Sequence, residues 1–221
     1  MQTRWNSAEV ANADAPQGEG FAALRRFARA RVPAESCELC GLALAAEHPH
    51  LFEHQRGRIL CACNACSILF SGQEQAKFLR VPRRITRLNN FAFSDAEWGA
   101  MTLPINLAFF TRRRDGSTKA MYPSPAGVME SLIRLAPWLD LFGGDAALRD
   151  MEPEVEALMV NRIGSSASYF IVPIDACYQL VGVIRTKWRG LSGGGEVWQA
   201  IGEYFSNLDR RASRVAEATR A

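Results

Sequence analysis

A chain of 221 residues with 48% hydrophobic residues and a net charge of +3 is a globular protein longer than one typical domain. It offers no run near the roughly 20 consecutive apolar residues of a spanning helix, and its 26 basic against 23 acidic residues fall short of the basic stripe that nucleic-acid binders show. Arg4 and Glu9 stand where a signal peptide would be apolar, so the expectation is a cytoplasmic protein without membrane insertion.

Residues 1–20 are rich in Ala, Asn, Gly and Gln and read as a flexible leader. From Phe21 the pattern is helical: Phe21, Leu24, Phe27 and Ala28 share one face and Arg25, Arg26 and Arg29 the other, until Pro33 ends the run. Five of the six cysteines then crowd between Cys37 and Cys66, which in a reducing compartment points to metal ligands rather than disulfides. Cys37-Glu38-Leu39-Cys40-Gly41 and Cys63-Asn64-Ala65-Cys66 repeat one spacing. Two residues between thiols allow a tight turn to aim both sulfurs and nearby N–H groups at one ion, and Gly relieves the crowded backbone. The expected ligands are Cys37, Cys40, Cys63 and Cys66, around Zn²⁺, with iron or an iron-sulfur cluster as the alternative. A closed four-thiolate site has no position for a reacting water. Short strands at His50-Leu51-Phe52 and Arg58-Ile59-Leu60 form the hairpin that brings the pairs together. Cys61 and all the histidines, His48, His50 and His54, also fall here; they are either a buried strand residue and surface groups, or Cys61 or His50 enters the metal shell.

Residues 21–72 thus make a zinc-ribbon-like module, residues 73–212 an α+β domain and residues 213–221 a tail. In the second part Phe78-Leu79-Arg80-Val81 reads as a strand, and Ser94 and Glu97 have capping-box spacing ahead of a short helix. Residues 103–111 read as a buried strand, joined through Asp115-Gly116 to a hairpin partner at 118–122. Ser124-Pro125, followed by Met129, Leu132, Ile133 and Leu135, predicts a helix over 125–136. Strands at 155–163 and 168–172 form a second hairpin. Asp175 caps a helix carrying Tyr178, Val181, Ile184 and Trp188, Gly193-Gly194-Gly195 breaks it, and a final amphipathic helix carries Val197, Trp198, Ile201, Tyr204, Phe205 and Leu208. Hairpin-linked strands favour an antiparallel α+β fold over a doubly wound one.

No catalytic set assembles. Cys177 has no histidine near it in sequence and reads as a small buried helix residue. Ser192-Gly193-Gly194-Gly195-Glu196 lacks the Lys-Ser/Thr ending of a phosphate loop and reads as a connector between helices. Arg112-Arg113-Arg114 reads as solvated charge. Glu154 and Glu156 alternate on one strand face without an opposing proton donor.

From Cys37 nearly to the C-terminus the chain resembles an uncharacterised bacterial family of about this length, encoded beside actinobacterial-type, high-affinity nickel-iron hydrogenases. The phrases that carry the resemblance include Cys37-Glu38-Leu39-Cys40-Gly41, Leu60-Cys61-Ala62-Cys63, Leu107-Ala108-Phe109-Phe110, Tyr122-Pro123-Ser124-Pro125-Ala126-Gly127, Val172-Pro173-Ile174-Asp175-Ala176-Cys177-Tyr178 and Trp188-Arg189-Gly190-Leu191-Ser192-Gly193-Gly194. It implies a hydrogenase accessory role, with hydrogenase subunits or maturation proteins as partners, and assigns no chemistry to particular residues. Turns at Tyr122-Pro123-Ser124-Pro125 and Leu191-Ser192-Gly193-Gly194 are the expected docking face. The rival readings are an iron-based electron-transfer partner and a zinc-ribbon nucleic-acid binder using Arg25, Arg26, Arg83 and Arg84.

Overall fold

A computed structural model describes residues 35–72, 76–164 and 166–214. The expected leader at 1–20, the helix from Phe21 with Arg25 and Arg26, and residues 215–221 of the expected tail lie outside the described residues. The fold is mixed α+β with two sheets, antiparallel but for one parallel pairing at an edge.

The smaller sheet has strand order β2-β1-β3, built from β1 (His50–Glu53), β2 (Arg58–Cys61) and β3 (Phe78–Arg80). Residues 54–57 close the β1–β2 hairpin, with Gly57 at φ 59°. Register pairs His50 with Cys61 and Leu51 with Leu60. Directly opposed residues share a face and neighbours alternate, so this sheet has two distinct sides. Leu51 is buried in a cluster with Cys37, Ala62, Cys63 and Cys66. Phe52, one residue on, is buried in the main core.

The larger sheet has seven strands in the order β10-β4-β9-β8-β5-β6-β7: β4 (Thr86–Arg87), β5 (Leu107–Arg112), β6 (Thr118–Ser124), β7 (Gly127–Glu130), β8 (Glu156–Asn161), β9 (Ser168–Pro173) and β10 (Ser213–Arg214). Its central strands are mostly apolar because both faces are covered. On one face Leu107, Phe109, Ala157, Met159, Phe170 and Val172 meet two long helices, here α5 (Ile174–Lys187) and α6 (Gly194–Arg211). On the other, Ala108, Phe110, Leu158, Val160, Tyr169 and Ile171 meet Trp98, Trp138, Phe142 and Leu148. These come from the short helices α2 (Asp95–Ala100), α3 (Trp138–Phe142) and α4 (Ala146–Arg149). The Ser94–Glu97 capping box forms with both reciprocal hydrogen bonds, and the Asp115-Gly116 turn joins β5 to β6 as expected.

Three expectations are corrected. The predicted helix over 125–136 is a hairpin: Ser124 pairs with Gly127, and β7 runs back along β6. Gly127 at φ 130° takes a backbone that few L residues adopt, and Pro125 suits the turn, so the cap-like Ser-Pro opens a reversal instead of a helix. Tyr122 to Ser124 therefore belong to a paired strand, not to an exposed turn. Finally, Pro173 and not Asp175 occupies the N-cap of α5, which frees the Asp175 side chain for a distant contact.

Gly193 caps α6 at φ 86°, and the preceding turn is closed by Arg189 N–H donating to Gly193 C=O at 3.0 Å. A Cβ there would stand 2.8 Å from Val197 Cγ1 and 3.1 Å from the Trp188 ring. The glycine run is thus a tight connector between α5 and α6. No helix of the described residues is long and apolar enough to cross a membrane.

Candidate metal centre

Each half of the cysteine constellation is a backbone device. In the first, Cys37 N–H donates to Leu42 C=O and Gly41 N–H to Cys37 C=O, both at 2.8 Å, and Gly41 takes φ 77° to complete the turn. In the second, Cys63 is the N-cap of α1 (Asn64–Leu69). Its sulfur accepts the Cys66 N–H at 3.4 Å, as a capping oxygen would. The halves are stitched together by Glu38. Its N–H donates to Cys61 C=O at 3.0 Å, and its carboxylate accepts the Cys61 N–H at 2.9 Å.

These contacts bring the sulfurs of Cys37, Cys40, Cys63 and Cys66 within 4.8 Å of one another. The Cys40 and Cys63 sulfurs lie 3.8 Å apart, far beyond a disulfide bond of ~2.05 Å. It is the edge of a sulfur tetrahedron with metal-sulfur bonds of ~2.3 Å, which is ~3.8 Å. Cys37, Cys63 and Cys66 are buried and Cys40 is exposed.

The electrostatics of the thiols fit a bound cation. At Cys37, burial opposes ionisation most strongly. The backbone N–H groups of Cys63, Leu39 and Cys40, with the Cys40 thiol, outweigh it and bring the thiol down to about 6. At Cys66, burial followed by the thiols of Cys63, Cys40 and Cys37 pushes the value up to about 12. The Cys37 thiolate forms readily, and its charge opposes ionisation of Cys66. A dication among them removes that conflict, since thiolate and not thiol is the ligand.

The other singled-out residues fall elsewhere. Cys61, His48 and His50 are not in the four-thiol group but form a second cluster with donor atoms within 4.8 Å of one another, so the two histidines are not scattered surface groups. His54 sits in the β1–β2 turn. Cys177 is fully buried in α5, and burial, with the Asp175 charge adding, raises its thiol well above the ordinary range. Glu156 is completely buried and holds Arg84 through two hydrogen bonds of 2.5 and 2.6 Å. Glu154 precedes β8 in left-handed backbone at φ 67°, so the two carboxylates do not share a strand face. Arg112 donates to the carbonyls of Arg149 and Met151 at 3.1 and 2.7 Å; it is structural, not a solvated charge.

One long-range contact near the site escaped the sequence reading. Asp175 Oδ2 accepts from His50 Nδ1 at 2.6 Å across 125 positions. The only local signal of Asp175, a carboxylate at a helix start, is equally that of a cap.

The fold and site define a mixed α+β protein with antiparallel sheets and a cysteine cluster compatible with a zinc-ribbon-like module. Residues 36–212 match a family of unknown function, DUF5947, and the chain belongs to that family. No curated protein and no solved structure matches it.

Proposed function

We propose that Cys37, Cys40, Cys63 and Cys66 hold one structural Zn²⁺, and that the chain is a non-enzymatic, cytoplasmic accessory protein supporting assembly or maturation of a nickel-iron hydrogenase. In this reading a metal module, residues 21–72, is joined by β3 and docks on an α+β domain, residues 73–212. The observation that carries it is the convergence of four sulfurs within 4.8 Å on two backbone turns. The metal stabilises the module, since binding free energy at a structural site is folding free energy. The hydrogenase assignment rests on the family resemblance carried by the sequence phrases.

Metal analysis and a visible spectrum of anaerobically purified protein test the first part. The expected result is one tightly held, colourless Zn²⁺ per chain after loosely bound metal is stripped, lost together with module folding when the four cysteines become serine. Deleting the gene tests the second part: hydrogenase activity or subunit processing falls, and normal values for both would defeat the assignment.

Iron-based electron transfer is the second reading. Cys40 is the one exposed sulfur of the four, which would give electrons a route to the surface. Thiolate-bound iron is coloured and Zn²⁺ is not, so the same spectrum separates the two. Nucleic-acid binding is disfavoured because Arg84 is committed to Glu156.

A further inference from the structure

We propose that His48, His50 and Cys61 form a second metal site, for a divalent transition ion of borderline softness such as Zn²⁺, with Asp175 as its positioning residue. The site lies on the opposite side of the β1–β2 hairpin from the four thiols. His50 and Cys61 are a directly opposed pair, so their side chains leave the sheet together. Leu51, the next residue, points toward Cys37, Cys63 and Cys66. One donor atom from each of the three residues falls within 4.8 Å of the other two, and the His48 and His50 rings meet edge to face at 4.9 Å.

Both imidazoles are held in the tautomer that a metal needs. His48 Nδ1 lies 3.0 Å from the Ala45 carbonyl, and a carbonyl only accepts, so the proton sits on Nδ1. His50 Nδ1 lies 2.6 Å from Asp175 Oδ2, which fixes its proton in the same place. In the neutral ring that a metal takes, the lone pair then falls on Nε2. A carboxylate behind a histidine is the usual support of a metal-bound imidazole: it sets the ring orientation and raises its basicity. Two imidazoles and a thiolate suit Zn²⁺ and its neighbours better than Mg²⁺ or Ca²⁺, which take oxygen.

Three protein ligands leave a tetrahedral ion one open position, and the surroundings favour a small anion there. A cavity of ≈ 220 Å³ borders the cluster and is lined by His48, His50, Asp175, Gln179, Arg83 and Arg211, with Glu47 at its wall. The Cys61 thiolate and the Asp175 carboxylate together balance a dication. The two guanidiniums, offset in part by the Glu47 carboxylate, then leave a net positive potential for an incoming anionic ligand. Asp175 Oδ1 is buried without a hydrogen-bond partner among the described residues.

The proposal stands whichever metal the four thiols hold. Full-length protein is stripped of loosely bound metal, shown by elemental analysis to keep its first equivalent, and titrated anaerobically with Co²⁺. The expected result is uptake of one further equivalent, with visible d–d bands and a near-ultraviolet sulfur-to-cobalt band. Cys61→Ser removes the sulfur band and His50→Ala abolishes uptake, both with the first equivalent intact. Asp175→Ala weakens uptake ~10- to 100-fold without touching the first equivalent, which a merely structural role would not do. If His50→Ala loses the first equivalent through misfolding, His48→Gln takes its place. Absence of a second equivalent in protein that holds the first overturns the proposal, as does uptake indifferent to Cys61→Ser and to the histidine variant. A missing first equivalent bears instead on the four-thiol reading.

Discussion

Replacing Arg84 tests whether this cation belongs to the fold or to a ligand. Glu156 has no exposed surface, and among the described residues its carboxylate receives, besides Arg84, only the Glu152 N–H, at 2.8 Å. Arg84→Met keeps a long apolar stem and removes both charged hydrogen bonds, leaving a buried carboxylate without its counter-ion. Truncating one partner of a fully buried pair costs ~3–5 kcal/mol. The Arg84 side chain is 52% exposed, and water already screens part of the attraction, so about 2–3 kcal/mol is expected. For a chain of this size that lowers the thermal midpoint by roughly 5–10 °C. The assay is thermal unfolding at constant metal content for Arg84→Met, Glu156→Leu and the double variant. The double variant should recover most of the loss, since an apolar pair can replace a buried ion pair at little cost. If Arg84→Met left the midpoint unchanged and instead abolished binding to RNA or DNA at low salt, the ion-pair argument would be wrong and the nucleic-acid reading restored.

Gly193→Ala should destabilise the α5–α6 connection. The left-handed backbone alone costs ~1–2 kcal/mol for an L residue, and contact with Val197 adds to it; a lower urea midpoint with unchanged metal content is the expected readout. Glu53 supplies a pH dependence. It is buried beneath the Lys77 ammonium at 3.0 Å, and the close contact with that ammonium, opposed by burial and aided by the charges of Arg56 and Arg58, holds its carboxyl below the ordinary range. A depressed folded value means that the stabilisation is complete above the unfolded carboxylate value and is lost as pH falls through the folded one. Thermal midpoints from about pH 6 to about pH 3 should therefore fall less for Glu53→Gln than for the unaltered protein, and equal falls would count against this pair.

Local chemistry made much of the fold legible. The Cys-x-x-Cys spacing, the capping box at Ser94, Asp115-Gly116 and the unbroken apolar run at Leu107 to Phe110 each state their structure within a few residues, because turns, caps and doubly covered strands are decided locally. Residues 125–136 misled for the same reason. Met129, Leu132, Ile133 and Leu135 have helical spacing, yet Leu132 is fully exposed, and the spacing corresponds to no buried face. Trp138 is fully buried, with its indole N–H donating to Leu148 C=O at 2.9 Å. It anchors one sheet face from a helix of five residues, too short to show a period. Arg84 with Glu156 and His50 with Asp175 are separated by 72 and 125 positions, and such pairings are set by strand order and helix docking, which no local pattern encodes.

The hairpin that lies between the two cysteine pairs is keyed on each side. Slipping β1 by one position against β2 would drive the His50 imidazole into the space of Leu51 and swing Leu51 out toward Asp175. Neither side could tolerate the exchange, so the alignment is enforced twice. Lengthening the 54–57 turn by a single residue should be among the least tolerated changes in the chain.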